Sequence, residues 1–165
     1  MKHTISVLVE NRSGVLSRIA GLFSRRAFNI DSLAVGVTDD PEVSRITIVV
    51  DVEQDMVEQV EKQLNKLIDV IKIKRLTADE LLARELLLVK VSAGADKRSE
   101  ITTIAEIMNA KIIDITLTTM TLEASSAPSD LARLEEILKP YGIIEIVRTG
   151  TIAIQKGAEG ISVNK

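Results

Sequence analysis

Residues 7–19, Val7-Leu8-Val9-Glu10-Asn11-Arg12-Ser13-Gly14-Val15-Leu16-Ser17-Arg18-Ile19, decide the fold. They read as a buried strand, a four-residue polar turn, and a helix that starts just after a glycine. Such a turn points several backbone N–H groups and a helix N-terminus at one spot, which suits a small carboxylate. Nothing nearby could act chemically on that carboxylate, so the turn reads as a sensing element. On chain position alone a plainer reading stands beside it: Asn11 and Ser13 cap orphan N–H groups, and Gly14 permits a positive φ.

Outward from this stretch the hydrophobic period changes in a regular order. Ile5, Val7 and Val9 alternate as a strand, and Leu16, Ile19, Ala20 and Phe23 recur at helical spacing. Residues 29–38 make a second strand, Asp39-Asp40-Pro41 a turn, and Ile46, Ile48, Val50 and Val52 a third strand. Val57, Val60, Leu64 and Leu67 mark a second amphipathic helix, and Val70-Ile71-Lys72-Ile73 a fourth strand. The order βαββαβ specifies a ferredoxin-like sandwich, an antiparallel sheet with two helices on one face.

The second half repeats that order with little residue-level similarity. Strands are expected over 85–91, 112–118, 120–124 and 143–147, and helices around Ile101 to Met108 and from Pro128 to Leu138. Thr151-Ile152-Ala153-Ile154 reads as an extension of the second sheet beyond Gly150. The expected architecture is α+β, with two tandem ferredoxin-like units: a first domain over 1–76, a linker over 77–84 and a second domain over 85–157. A polar, glycine-containing tail over 158–165 is expected to fray.

Composition excludes several functions. Apolar residues make up 45% of the 165, but only two Phe and one Tyr are aromatic, so the cores must be aliphatic. With a net charge of −3, no basic face and few rings for base stacking, nucleic acid is not an expected partner. The chain has no cysteine, which excludes disulfides, thiol catalysis and thiolate metal sites. His3 is the single histidine, and it reads as a surface residue at a strand edge. Lys72, Lys74 and Arg75 read as a solvated strand face and end, and Arg25-Arg26 as cations closing the first helix. No run approaches the roughly 18 apolar residues of a membrane span, and Glu10 and Arg12 interrupt any signal-peptide core. The expectation is a cytoplasmic protein that is not an enzyme and holds no metal.

Asn29-Ile30 opens the second strand. Because the first helix runs back antiparallel to the first strand, Asn29 enters the sheet at the end away from Asn11. It would reach the Asn11 turn more readily across a dimer contact than within one chain; its plainer reading is a capping or turn residue.

Several phrases carry a resemblance: SVLVENRSGVLSRIAGLFSRRAFNIDSLAVG over 6–36, SRITIVV over 44–50, EQVEKQLNKLIDVIKI over 58–73, RELLLVKV over 84–91 and EIVRTGTIAI over 145–154. The first half resembles the ACT family of small-molecule regulatory domains. More narrowly, nearly the whole chain is similar to the small-subunit family of acetolactate synthase (acetohydroxyacid synthase). The resemblance implies a non-catalytic regulatory subunit that activates a large subunit and makes it sensitive to valine. That large subunit condenses two pyruvates to acetolactate with loss of CO2, in branched-chain amino acid synthesis. Thiamine diphosphate, Mg²⁺ and FAD would belong to the large subunit, and this chain would hold no cofactor. The implied assembly is a homodimer through side-by-side ACT domains, with the effector at their interface. By the same resemblance, Asn11 and Asn29 would contact the effector with their side chains. Gly14, Val15 and Leu16 would hold its carboxylate through backbone N–H groups, and Ile30 would wall its isopropyl group. The alternative is a free-standing ACT-type amino-acid sensor with another target.

Overall fold

The computed structural model describes residues 1–163. Two compact units emerge, one of Met1–Leu82 joined by the segment from Thr151, the other of Ala83–Gly150.

In the first unit, strand β1 (Lys2–Glu10) is followed by helix α1 (Val15–Arg25), strands β2 (Ile30–Val37) and β3 (Val43–Asp51), helix α2 (Gln54–Leu64) and strand β4 (Val70–Leu76). The sheet order is β2-β3-β1-β4, with every neighbouring pair antiparallel. This is the expected βαββαβ sandwich. Register follows the alternation read from sequence: Ile5 lies opposite Ile48 and Val7 opposite Ile46. These pairs face the helices. Helix α1 buries Val15, Ile19, Leu22 and Phe23, and α2 buries Val57, Val60 and Leu64, closing one aliphatic core. Phe23 and Phe28 meet edge to face, with centroids 6.2 Å apart at 73°.

Strand β1 is buried on both faces, which a sheet with helices on one side alone would not produce. Thr4, Ser6 and Leu8 point away from the helices, and they too are buried. The segment from Thr151 covers that outer face. Strand β9 (residues Ile152–Gln155) lies against β1 and pairs with β5 (Leu81–Ser92). The Thr151 N–H donates to Ser32 Oγ (2.7 Å), and Arg45 Nη2 donates to both the Ala153 carbonyl (2.6 Å) and Ser6 Oγ (2.8 Å).

Three expectations change as a result. Residues 151–157 group with the first unit rather than the second, through hydrogen bonds with Ser32 and Arg45, while the expected extension of the second sheet stands in the pairing of β9 with β5. The 158–165 stretch expected to fray is tied down in part: Lys74 approaches Glu159 (3.8 Å) and Lys72 Nζ donates to the Ser162 carbonyl (3.2 Å). Asn164 and Lys165 lie outside the described residues. Lys72 and Lys74 are therefore half-covered, while Arg75 turns to the helix side and meets Glu61 (3.6 Å). His3 also departs from expectation. It is buried on a central strand with Nε2 3.2 Å from the Val52 carbonyl, because β4 flanks the strand that chain order alone would put at the rim.

In the second unit the sheet order is β6-β7-β5-β8, from β5, β6 (Lys111–Ile115), β7 (Thr119–Ser126) and β8 (Ile143–Arg148). Helices α3 (Arg98–Ile107) and α4 (Pro128–Leu138) cover one face, with Pro128 opening α4 where its missing N–H costs nothing. Leu87, Val89, Val91, Met120, Leu122, Ile101 and Leu134 form its core. Strand β5 starts at Leu81, inside the stretch expected as linker, and β6 ends at Ile115, where Thr116 and Thr119 build a hydroxyl-bonded turn. The single tyrosine supplies a clean probe of this unit. Tyr141 Oη donates to Glu100 (2.8 Å), which raises the phenol pKa above its ordinary 10.0. A phenolate absorbance titration is expected to show a midpoint above that value, falling back towards it in Glu100→Gln.

Candidate effector site at the β1–α1 turn

The turn is held from three sides. The Asn11 N–H donates to the Glu42 carbonyl (2.8 Å), and Asn11 Nδ2 donates to the Pro41 carbonyl (2.8 Å). Both acceptors belong to the β2–β3 turn, itself shaped by Asp40 Oδ1 accepting from the Glu42 N–H (2.9 Å). With its amide nitrogen committed to Pro41, Asn11 offers its Oδ1 as an acceptor. From the third side the Glu10 N–H donates to the Asp69 carbonyl just before β4 (2.9 Å).

Gly14 stands at the N-cap of α1 with φ +84°, a conformation that L side chains rarely adopt. No side chain caps the helix. The N–H groups of Val15, Leu16 and Ser17 lie in the first turn, where helix geometry gives them no internal carbonyl. The first internal bond is Arg18 N–H to the Gly14 carbonyl (3.0 Å). Val15 is buried, whereas Leu16 is 42% exposed beside the turn.

Two residues that sequence reading missed complete the electrostatics. Arg18 Nε donates to Asp69 Oδ2 at 2.6 Å, and Asp69 is nearly inaccessible while Arg18 is half-exposed. The guanidinium also reaches over Gly14, with Nη1 3.1 Å from where a Cβ would stand. The guanidinium, its charge shared with Asp69, thus sets N–H donors beside the positive end of the helix dipole. The only sequence signal for it was Arg18 lying four residues beyond the glycine; its partner is 51 residues further on. The pair is expected to contribute about 1 kcal/mol, at the low end for charged hydrogen bonds because Arg18 meets water. A double-mutant cycle of Arg18→Gln and Asp69→Asn by urea denaturation measures it.

Asn29 and Ile30 do not join Asn11 and Gly14 within one chain. Ile30 pairs with Val50, the residue opposite His3, while Asn11 follows Glu10, which pairs with Val43. Along β3 that separation is seven residues, roughly 23 Å at about 3.3 Å each. Asn29 is exposed and Ile30 half-buried against the core edge. The described residues contain no cluster of three or more His, Cys, Asp or Glu suited to a metal ion, and no helix long and apolar enough to cross a membrane.

Comparison with known proteins places this geometry among relatives. Residues 5–72 match the family described as AHAS small subunit-like ACT domain, and residues 84–157 the family described as small subunit of acetolactate synthase. The acetolactate synthase small subunit of Mycolicibacterium smegmatis is 48% identical, over 99% of this chain and 96% of its own. The probable small subunit of Archaeoglobus fulgidus is 46% identical, over 95% of this chain and 98% of its own. The crystal structure of the Thermotoga maritima acetolactate synthase small subunit superposes with a TM-score of 0.88 at 35% identity, covering 96% of this chain and 99% of that one.

Proposed function

The chain belongs to the acetolactate synthase small-subunit family, and from that premise we propose that it is the non-catalytic regulatory partner of a large catalytic subunit, which it activates and makes inhibitable by valine. In this reading the complex works in the cytoplasm on two pyruvates, giving acetolactate and CO2. Thiamine diphosphate, Mg²⁺ and FAD reside on the large subunit.

The observation that carries the effector reading is the uncapped first turn of α1 opening at a positive-φ glycine, with Asn11 pinned beside it. Valine needs N–H donors for its carboxylate, acceptors for its ammonium and a small apolar pocket. The N–H groups of Val15 and Leu16 meet the first need, with Gly14 allowing close approach and Arg18 supporting the charge. Asn11 Oδ1 meets part of the second.

The rest comes from a second copy. Strand β2 is one of the two edges of the sheet, and its Val35 and Val37 are exposed. Antiparallel pairing of two β2 edges sets the start of one strand beside the end of the other. That end, Val37 opposite Ser44, lies at the Asn11 side of the sheet. Side-by-side dimerisation therefore carries Asn29 and Ile30 of one protomer towards the Asn11 turn of the other. A ligand spanning both protomers favours one dimer arrangement, and inhibition follows when that arrangement activates the large subunit less.

The test is acetolactate formation by the purified large subunit, with and without this chain, across a valine titration. Activation that valine removes supports the proposal. No activation by a folded, dimeric chain would favour a free-standing sensor with another target. Asn11→Ala and Asn29→Ala are each expected to weaken valine inhibition by about tenfold or more while activation persists, as for loss of one hydrogen bond to a charged group. Equal valine sensitivity in both variants would place the effector elsewhere.

A further inference from the structure

The C-terminal cover of the first sheet does not fit flush. Between it and the outer sheet face lies a cavity of about 220 Å³, smaller than the roughly 300–1,000 Å³ of sites for drug-sized ligands. Arg45 and Lys74 come to it from β3 and β4; Leu76, Ile154 and Ile161 supply apolar wall, Gly157 and Gly160 line it, and Glu159 and Gln155, whose buried Oε1 has no hydrogen-bond partner among the described residues, complete the lining. It lies on the face of the sheet opposite α1 and α2.

Its charges are unbalanced. Arg45 is half-buried, and its Nη2 donates only to neutral acceptors, Ser6 Oγ and the Ala153 carbonyl. Among the described residues no carboxylate pairs with it, and its Nε and Nη1 find no acceptor. Burial lowers its pKa from the ordinary value, yet a guanidinium remains a cation at neutral pH. Lys74 has one counter-charge, Glu159, at 3.8 Å, and that carboxylate is 79% exposed. A half-buried cation with no counter-ion costs free energy that an anion entering the cavity would return. Arg45 presents two unused donors, and the wall beyond the cations is aliphatic.

We propose that this cavity is a second small-molecule site, selective for a short-chain apolar monocarboxylate. Arg45 and Lys74 hold the carboxylate, and Leu76, Ile154 and Ile161 enclose the alkyl group. The site is independent of the β1–α1 turn, with which it shares no residue.

The experiment is an NMR titration of the uniformly ¹⁵N-labelled full chain with sodium isobutyrate into the millimolar range, at constant ionic strength. Valine and inorganic phosphate are titrated in parallel. Isobutyrate is expected to shift the Gly157 and Gly160 amides saturably and to leave Gly14 unmoved. Lys74→Gln, which breaks only a long ion pair, is expected to weaken isobutyrate about tenfold. Glu159→Gln removes the competing carboxylate and is expected to tighten it about threefold. Arg45→Gln is expected to abolish the shifts; because Arg45 also anchors the cover, the two milder variants carry the decision. The proposal is overturned if Gly157 and Gly160 do not respond, if neither Lys74→Gln nor Glu159→Gln changes the affinity, or if phosphate outcompetes isobutyrate. Asn11→Ala should leave the isobutyrate response intact, so failure of this site and failure of the effector reading are separately visible.

Discussion

Gly14→Asp is expected to abolish the valine response while the chain still folds and activates its partner. Two effects act on different links. The backbone at position 14 has φ +84°, so any L side chain there adds about 1–2 kcal/mol of local strain. The nearest neighbour of a new Cβ is the end of the flexible Arg18 side chain, which can swing aside, so the fold survives. The larger effect is on binding. A carboxylate at the N-cap position accepts from the first-turn N–H groups and sits beside Arg18, occupying the place proposed for the valine carboxylate. An incoming carboxylate then meets a like charge and no free donors, a loss of about 3 kcal/mol or more, roughly 100-fold in affinity. Gly14→Ala separates the two effects, because it keeps the strain and adds no charge; its valine response is expected to weaken by less than about tenfold. Acetolactate assays of both variants across a valine titration, with circular dichroism as the folding check, decide the matter. Full valine sensitivity in Gly14→Asp would remove the turn from the effector site.

Ending the chain at Gly150 is expected to destabilise the first unit, although every βαββαβ element of that unit is kept. The deletion removes the segment that bonds Ser32, Arg45 and Lys72 and uncovers the outer face of the sheet. Leu8 and Val49 point to that face and are 3% and 6% exposed. At about 1.5–3 kcal/mol for each fully buried side chain, exposing these two alone costs on the order of 3–6 kcal/mol. That is a large fraction of a typical domain's stability. Amide exchange along β1 should quicken in step with the loss, and the exposed face should promote self-association. Calorimetry and sedimentation of the truncated and full chains measure both. An unchanged unfolding temperature would show that the cover contributes no stability.

Some of this was legible because it depends on near neighbours in sequence. Alternation in Ile46-Thr47-Ile48-Val49-Val50 and the spacing of Leu16, Ile19, Ala20 and Phe23 fix element type, but of that helical stripe only Ile19 and Phe23 are buried, and Val15 and Leu22 complete the core face in place of Leu16 and Ala20. The βαββαβ order then leaves few topologies. Gly14 was legible too, since a glycine between a polar turn and an apolar helical stripe has few other uses. The pinning of Asn11 was not, because Pro41 lies 30 residues away and nothing in either stretch names the other. Asp69 escaped for the same reason. His3 was misplaced because its position at the start of the strand suggested an edge, although it keeps the parity of the helix-facing Ile5 and Val7.

By itself, then, the sequence determined what local periodicity and turn chemistry encode: two α+β units, their helix-facing cores, and a turn with free N–H groups at the head of α1. Tertiary structure alone decided what depends on long-range pairing. It put His3 in the interior, joined Arg18 to Asp69, and laid the segment from Thr151 over the face of the first sheet, whereas the distance of Asn29 from Asn11 already followed from the element order. A residue's period reports which way its side chain points; what it then meets is settled only when distant segments pack.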